Sequence, residues 1–529
     1  MMNEFEQTLN KVNNMQKTEN GALGYSTTGK NLVDLNFTIP SNHNNVSIKE
    51  IEKMYASLDE DLILTVKWLF YLRDVREGLG ERDSFIKLFT NLPDYIGVKV
   101  LPLVPEYGRW KDVIDILSRI ADGLPITDKI YEMVHDQLMK DCEDMSSGKS
   151  ISLLAKWMPS INASPKARKV ALRFCRKFSL LHKEYRGMLA ALRQYLDVTE
   201  VKTCGGAWNM VDYNKVSSNA NARYVKAFMK HDPERRKRYL AELEKPNPVG
   251  AVMHATNLYP HEVYSKYSKW ERYSMYTPAV EDPGVEALWK NLKDIKTTGN
   301  TMVVCDGSGS MERNIDGSSV MAIDVARSLG VFFSERATGE FKDKIIEFSA
   351  APRYIDLSGC KSLAEKYNTL LEYTDCSNTN LEKVFDLLLV TAINNRMPQE
   401  DLPQRILIVS DMEFDQAGQY STIRRMRSNY GTEFGLTYDE VISKYESLFE
   451  TIRRKWTDAG YVMPEIVFWN VNSGTNTIPV MANEVGVNLV AGFSVNNIKM
   501  ILAGECDAWS ALKSVLDSER YAPVEEALK

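Results

Sequence analysis

One carboxylate and two hydroxyls stand at alternate positions in Thr301-Met-Val-Val-Cys-Asp-Gly-Ser-Gly-Ser-Met311, namely Asp306, Ser308 and Ser310. Alternation lets the three side chains point toward one centre, while Gly307 and Gly309 let the backbone turn between them. All three are hard oxygen donors, and an incomplete shell of hard oxygens suits Mg²⁺ or Mn²⁺ over zinc. The same residues also have a plainer use. Asp306 can bond to loop amides, and Ser308 or Ser310 can cap the helix that follows.

The elements around the loop say where it sits. Met302 to Cys305 are apolar and β-favouring, and a strongly apolar helical stretch follows at 318–337. Strand, polar loop and helix form the first unit of a doubly wound α/β sheet, in which ligands lie beyond the carboxyl ends of the strands. From about residue 300 the chain alternates in this way. Strands are expected at 301–305, 344–348, 405–410, 465–470 and 487–491. Helices are expected at 318–337, 361–371, 380–394, 437–459, 495–503 and 507–518, which implies a mainly parallel sheet with helices on both faces. Residues 412–436 read as a long insertion directly after a strand.

Upstream, strand signals are sparse. Ser47 can cap a first helix, and further helices fit 61–75, 83–92, 110–120, 127–142, 150–158, 165–179, 182–195 and 219–231. Short helices in series suggest a HEAT-like helical-repeat array, although no fixed period is present. Residues 1–46 are polar and Asn-rich and read as a largely irregular lead-in. The expected organisation is therefore a lead-in at 1–46, a helical-repeat domain at 47–297 and a doubly wound α/β domain at 298–529.

Composition narrows the partners. The 529 residues are 44% apolar and 26% charged, as in ordinary globular proteins. Seven scattered cysteines without a C-x-x-C argue for a reducing compartment and against a zinc cage. The chain shows neither a signal peptide nor an apolar run of membrane-spanning length, so a cytoplasmic protein is expected, in the host cytoplasm if phage-encoded. All six histidines precede Asp306. The net charge of −6 conceals a segregation: residues 151–250 carry 20 Lys and Arg against 8 Asp and Glu, whereas 301–529 carry 22 against 33. Within the basic segment, Lys166, Arg168, Lys169, Arg173, Arg176 and Lys177 recur at helical spacing, and Arg235, Arg236, Lys237 and Arg238 form a compact cluster. A solvated face is the bland reading of either group alone, but eight acids cannot neutralise twenty bases. With Tyr185, Tyr195, Trp208, Tyr213 and Tyr224 interleaved, the segment offers phosphate contacts and stacking surfaces for RNA.

The pattern D-x-S-x-S after an apolar strand resembles the metal-ion-dependent adhesion site of von Willebrand factor A (VWA) domains. That resemblance implies two further ligands. One is a threonine on a second loop, matched by Thr379 in Ser377-Asn-Thr-Asn-Leu-Glu382; the other is an aspartate after a later strand, matched by Asp411 after Arg405-Ile-Leu-Ile-Val-Ser410. Thr379 and Glu382 also read as a capping box. Glu413 and Asp415 depart from the pattern by adding carboxylates that compete for the ion or tighten the site. The strand-Asp-Gly-Ser order also resembles haloacid-dehalogenase phosphatases, but Ser308 stands where their general acid would be, and no phosphate-binding G-x-x-x-x-G-K is present.

Three N-terminal stretches, Trp68-Leu-Phe-Tyr-Leu-Arg-Asp-Val-Arg-Glu-Gly-Leu-Gly-Glu-Arg-Asp83, Pro105-Glu-Tyr-Gly-Arg-Trp-Lys-Asp112 and Leu153-Leu-Ala-Lys-Trp-Met-Pro-Ser160, resemble an uncharacterised family of phage and eukaryotic proteins. The layout of that family is similar to the Ro autoantigen family, in which a helical (TROVE) ring carries a VWA domain. The resemblance implies a non-catalytic ribonucleoprotein scaffold that binds structured or misfolded RNA, with an acidic protein ligand at the metal and no small-molecule substrate. A protein-interaction adaptor and a metal-dependent phosphohydrolase are the alternatives. Arg73, Arg76, Arg82 and Arg109, with acids beside them, read as structural ion pairs.

Overall fold

The computed structural model describes residues 13–42, 45–245, 250–268, 277–295, 300–315, 318–348, 351–373, 379–415, 447–502, 505 and 507–529. The chain divides into two compact units, one of residues 1–57 with 258–515 and the other of 58–257 with 516–529.

The first unit is α/β. It opens with a hairpin of β1 (Met15–Lys17) and β2 (Leu23–Tyr25), paired antiparallel. Its main sheet has six strands, β3 (Thr301–Asp306), β4 (Lys344–Phe348), β5 (Arg353–Asp356), β6 (Arg405–Ser410), β7 (Glu465–Asn470) and β8 (Val487–Ala491), in the order β5-β4-β3-β6-β7-β8. All neighbours are parallel except β4 and β5. The five parallel strands coincide with those expected from sequence, because strands covered on both faces read as continuous apolar runs. β5 escapes that signal: it is a four-residue edge strand with three exposed residues. The helix Ala322–Arg336 packs on β3, and Gly330 permits the approach, since a Cβ there would lie 2.4 Å from the Cys305 sulfur. The expected insertion falls mostly on 416–446, outside the described residues, as does the start of the helix expected at 437–459.

Residues 13–42 of the expected irregular lead-in are ordered into regular elements. Residues 13–42 form the hairpin and a helix, Asn31–Thr38, that belong to the α/β unit. Leu32, Val33, Leu35 and Phe37 of that helix are buried, and it packs along β8. The hairpin's polar side chains bond to the unit's loops: Gln16 Nε2 donates to Thr475 O at 2.7 Å, and Thr18 Oγ1 to Phe414 O at 2.6 Å. Its polarity therefore marks long-range hydrogen bonding.

The second unit is helical, with helices from four residues (Leu154–Trp157) to 22 (Pro125–Ser146). The boundaries expected at 297 and 529 both move. Residues 258–297 go with the α/β unit, and the last fourteen residues go with the helices. The C-terminal helix Ala522–Leu528 packs against Leu62–Arg73 and Asp94–Val100. Tyr521 stacks on Tyr107 with ring centroids 5.7 Å apart, and Arg520 Nε donates to Asp74 Oδ2 at 2.9 Å.

One of the expected ion pairs proves structural, that of Arg73 with Asp112. Arg73 Nε donates to Asp112 Oδ2 at 2.8 Å with both side chains fully buried, and the Arg109 backbone N–H donates to the same oxygen at 2.9 Å. Truncating Asp112 strands a buried guanidinium and uncaps the helix Trp110–Arg119. Asp112→Ala is expected to lower unfolding stability by about 3–5 kcal/mol, read from urea melts of the full chain. A loss below ~1 kcal/mol would contradict a structural role.

Candidate functional site

β3 and β6 lie side by side at the centre of the sheet, and the chain builds outward from them in both directions. That makes the crevice beyond their carboxyl ends the switch point of a doubly wound sheet, where such folds place ligands. Asp306 is the last residue of β3, and Asp411 directly follows β6. Both are buried.

A hydrogen-bond network joins the loops. Asp306 Oδ1 accepts from Ser308 N at 2.9 Å, and Asp306 Oδ2 accepts from Ser410 Oγ at 2.5 Å. Ser308 Oγ and Ser310 Oγ stand 3.0 Å apart, and the Ser310 hydroxyl bonds to the Asp411 carboxylate. Gly307 is required here, since a Cβ would lie 2.9 Å from the side chain of Glu347. Glu347 itself is committed to Arg327, which donates to its two oxygens at 3.0 and 2.9 Å. After Asp411 the backbone turns through a left-handed residue, Met412 at φ 65°, which costs a non-glycine residue about 1–2 kcal/mol. Thr379 is buried on the third loop and tied to the second: its carbonyl accepts from Asp415 N at 2.8 Å.

Sequence reasoning missed the N-terminal turn at this rim. Asn20 Nδ2 donates to Glu413 O at 2.6 Å and lies 3.4 Å from Thr379 Oγ1. The extra carboxylate Glu413 is taken up by backbone amides. It accepts from Glu19 N at 2.7 Å and Thr475 N at 2.7 Å, so it fastens the hairpin and the 473–475 loop. Ser410 was also missed, since a serine closing an apolar strand has no signal until its neighbour strand is known.

Electrostatics give the site its chemistry. Burial and the facing charge of Asp411 push the Asp306 carboxyl well above the usual carboxylate range. Asp411 is raised too, first by burial and then by Glu413 and Glu19, against hydrogen bonds from Ser310 and Glu413 N. Among the described residues no Lys or Arg bonds to either aspartate. No group of three or more His, Cys, Asp or Glu among them has metal-holding geometry; the donors here are two carboxylates and hydroxyls. Two buried carboxylates with neighbouring hydroxyls and no basic partner among the described residues fit a hard divalent cation, because carboxylate and hydroxyl oxygens are hard donors with more than one lone pair each.

The sign of the pH dependence follows. A carboxyl raised in the folded state stabilises it fully below the unfolded value, and that contribution disappears as pH rises through the folded value. Chelator-treated protein is expected to lose stability from about pH 4 toward neutrality at this pair. Asp306→Asn is expected to flatten that slope, read as thermal melts across pH. Equal slopes for both proteins would contradict a raised Asp306 carboxyl.

The basic residues separate into two groups. Lys166, Arg168, Lys169 and Arg176 are exposed on the helix Pro165–Lys177, as are Lys237 and Arg238 on Pro233–Leu243. Lys177 is exposed and paired with Asp128 at 2.7 Å. Arg173 is structural: it donates to Asp122, Tyr131 Oη and Leu117 O. Arg236 is fully buried against the rings of Tyr213, Phe228 and Tyr239, and Arg235 binds Asn209 O, Val211 O and Asp232. Arg236 of the compact cluster is therefore core, Arg235 is partly exposed but tied to the backbone, and Tyr185 and Tyr213 are buried elsewhere in the unit and beside Arg236 respectively. Charge alone did not separate these arginines, because a guanidinium packed on aromatic rings has the same sequence signature as a free one.

Residues 300–525 match a family described as a domain of unknown function (DUF7788), and residues 164–301 match another domain of unknown function (DUF2828). An uncharacterized protein of Acanthamoeba polyphaga mimivirus is 28% identical over 550 residues, covering 97% of this chain and 89% of that protein. Among solved structures, the crystal structure of the Deinococcus radiodurans RO (RSR) protein aligns with a TM-score of 0.40 at 9% identity, covering 93% of this chain and 98% of that one. No described helix is long and apolar enough to cross a membrane.

Proposed function

We propose that this chain is a non-catalytic RNA-binding scaffold with a VWA-type divalent-metal site. On this reading the helical unit, built as a HEAT-like array, holds structured or misfolded RNA. Asp306, Ser308, Ser310, Thr379 and Asp411 hold Mg²⁺ or Mn²⁺, and an acidic protein ligand docks at the metal. The reading is carried by the segregation of charge: an excess of twelve positive charges in 151–250, against an acidic α/β region. Exposed Lys166, Lys169 and Arg176 lie on one face of a helix at spacings of three and seven, where they can follow a phosphate backbone.

Phosphate contacts release counterions, so RNA affinity is expected to fall with salt. Three contacts give a log–log slope of about −2 for a single strand. Reversing Lys166, Lys169 and Arg176 to glutamate is expected to weaken binding and flatten the slope, measured by filter binding at several salt concentrations. Arg173 is left in place because it holds the fold. Unchanged affinity in the triple variant would remove this face from the RNA reading.

The metal half has its own test. Mg²⁺ or Mn²⁺ is expected to raise the melting temperature of wild type, more at neutral than at acidic pH, and Asp306→Ala is expected to abolish the increment. RNA binding is expected to survive Asp306→Ala. No Mg²⁺-dependent phosphodiester or phosphomonoester hydrolysis is expected, since Ser308 supplies no general acid; turnover lost in Asp306→Asn would instead favour a phosphohydrolase. One observation favours a protein adaptor as the second reading: Arg173, Arg235 and Arg236 are spent inside the helical unit, which reduces the cations left for RNA.

A further inference from the structure

The three N-terminal motifs converge on one hollow of the helical unit. Arg82 comes from the first, Arg109 and Lys111 from the second, Lys156 and Trp157 from the third, and Arg193 and Arg223 complete the wall. Six of its ten lining residues are cationic and one, Glu200, is acidic. The hollow measures about 960 Å³, part of it open to solvent. A second hollow of about 640 Å³ shares Lys111 and Trp157 with it and reaches Ser164 and Lys166, at the start of the helix Pro165–Lys177.

Structural duties account for part of this charge. Lys156 pairs with Glu200 at 3.0 Å, Lys111 with Asp115 at 2.7 Å and Arg82 with Asp83 at 3.1 Å. Arg193 and Arg223 meet no carboxylate among the described ion pairs. Arg193 donates to Ala155 O at 2.9 Å, Met158 O at 2.6 Å and Ser160 Oγ at 2.9 Å, which clamps the turn carrying Trp157. Its partners are neutral and it is partly buried, and burial lowers its pKa from the ordinary arginine value. An anion in the hollow would offset that cost. Arg223 is exposed on the wall and makes none of the described hydrogen bonds or ion pairs, so packing does not explain it.

The aromatic component narrows the ligand. Trp157 is half-buried between the two hollows, with Arg109 Cζ 5.7 Å and Lys156 Nζ 5.4 Å from its ring centroid. Uncompensated guanidinium groups beside an indole match a phosphate joined to a planar base. We propose that this hollow binds a nucleotide unit, with its phosphate against Arg193 and Arg223 and its base on Trp157. The nucleotide comes either from an RNA strand that runs on past Lys111 toward Lys166 or from a free mononucleotide. The site goes beyond the RNA reading, because a free nucleotide satisfies it whether or not the chain binds RNA.

The test uses the full chain with two probes: AMP in titration calorimetry, and a short fluorescein-labelled oligoadenylate in anisotropy. The variants are Arg223→Glu and Lys111→Ala, both on solvent-facing wall positions, with Trp157→Ala and Trp157→Phe for the base. Circular dichroism melts check folding, and the Arg223 and Lys111 variants decide the outcome if Trp157→Ala unfolds. Arg223→Glu is expected to weaken at least one probe by about tenfold or more, the scale of a lost charge-assisted hydrogen bond. Trp157→Phe is expected to retain more affinity than Trp157→Ala. Loss confined to the oligonucleotide identifies a strand, and loss of AMP binding identifies a free nucleotide; either supports the site. If neither probe binds wild type, or if both bind the Arg223 and Lys111 variants as tightly as wild type, the proposal is overturned. Wild-type-like probe binding by these variants, with RNA binding lost in the Lys166, Lys169 and Arg176 reversal, would overturn the hollow and leave the RNA reading standing.

Discussion

The burial of two carboxylates, Asp306 and Asp411, at adjoining strand ends is the constraint around which the α/β unit is arranged. Adjacent parallel strands end together, so the residue that closes β3 and the residue that follows β6 come to the same end of the sheet, both buried. Neither finds a basic side chain among the described residues. Hydroxyls and amides do part of the work of a counter-charge: Ser410 and Ser308 N bond to Asp306, and Ser310 and Glu413 N bond to Asp411. A buried carboxylate pair supported only by neutral donors is costly in the absence of a cation. The cost is retained at the one place where a doubly wound sheet presents its loops to a ligand.

The loop after Asp411 shows how the surrounding chain is recruited to that arrangement. A left-handed Met412 swings the backbone so that Asp411 stays at the strand end while Glu413 turns to the hairpin. Glu413 then fastens β1–β2 and the 473–475 loop, and Asn20 reaches the third loop beside Thr379. The polar N-terminal segment is thus part of the rim, and a ligand approaching the carboxylates meets Glu19 and Asn20 as well as the three sheet loops.

In the helical unit the same residue type serves opposite purposes. Arg73, Arg173 and Arg236 are internal, held by Asp112, Asp122 and a cage of rings. Arg223 and Lys166, Arg168, Lys169, Arg176 and Lys177 of the helix Pro165–Lys177 face outward. Motifs that read as ion-paired scaffold do both jobs. Asp112 locks Arg73 and caps a helix, and that helix start places Arg109 and Lys111 in the wall of the hollow. A substitution in the motif therefore tests stability and ligand contact together unless it is confined to the wall.

Much of this protein was legible along the chain. The five parallel strands were, because burial on both faces writes an unbroken apolar run. So was the grouping of Asp306, Ser308 and Ser310 in one loop, because alternate polar residues between glycines are local. Thr379 and Asp411 came from resemblance to a family pattern, and the fold sets them on loops tied into the same rim. The remainder depended on distance in sequence. Ser410 meets Asp306 across 104 residues, Asn20 meets Glu413 across 393, and Arg520 reaches Asp74 across 446. No periodicity or spacing records such contacts. Which arginines are core and which are surface was equally hidden, since the charge is the same and only the packed neighbours differ. Local chemistry and burial pattern belong to the linear chain, whereas the partner of each polar group is decided when the fold brings remote segments together and removes their water.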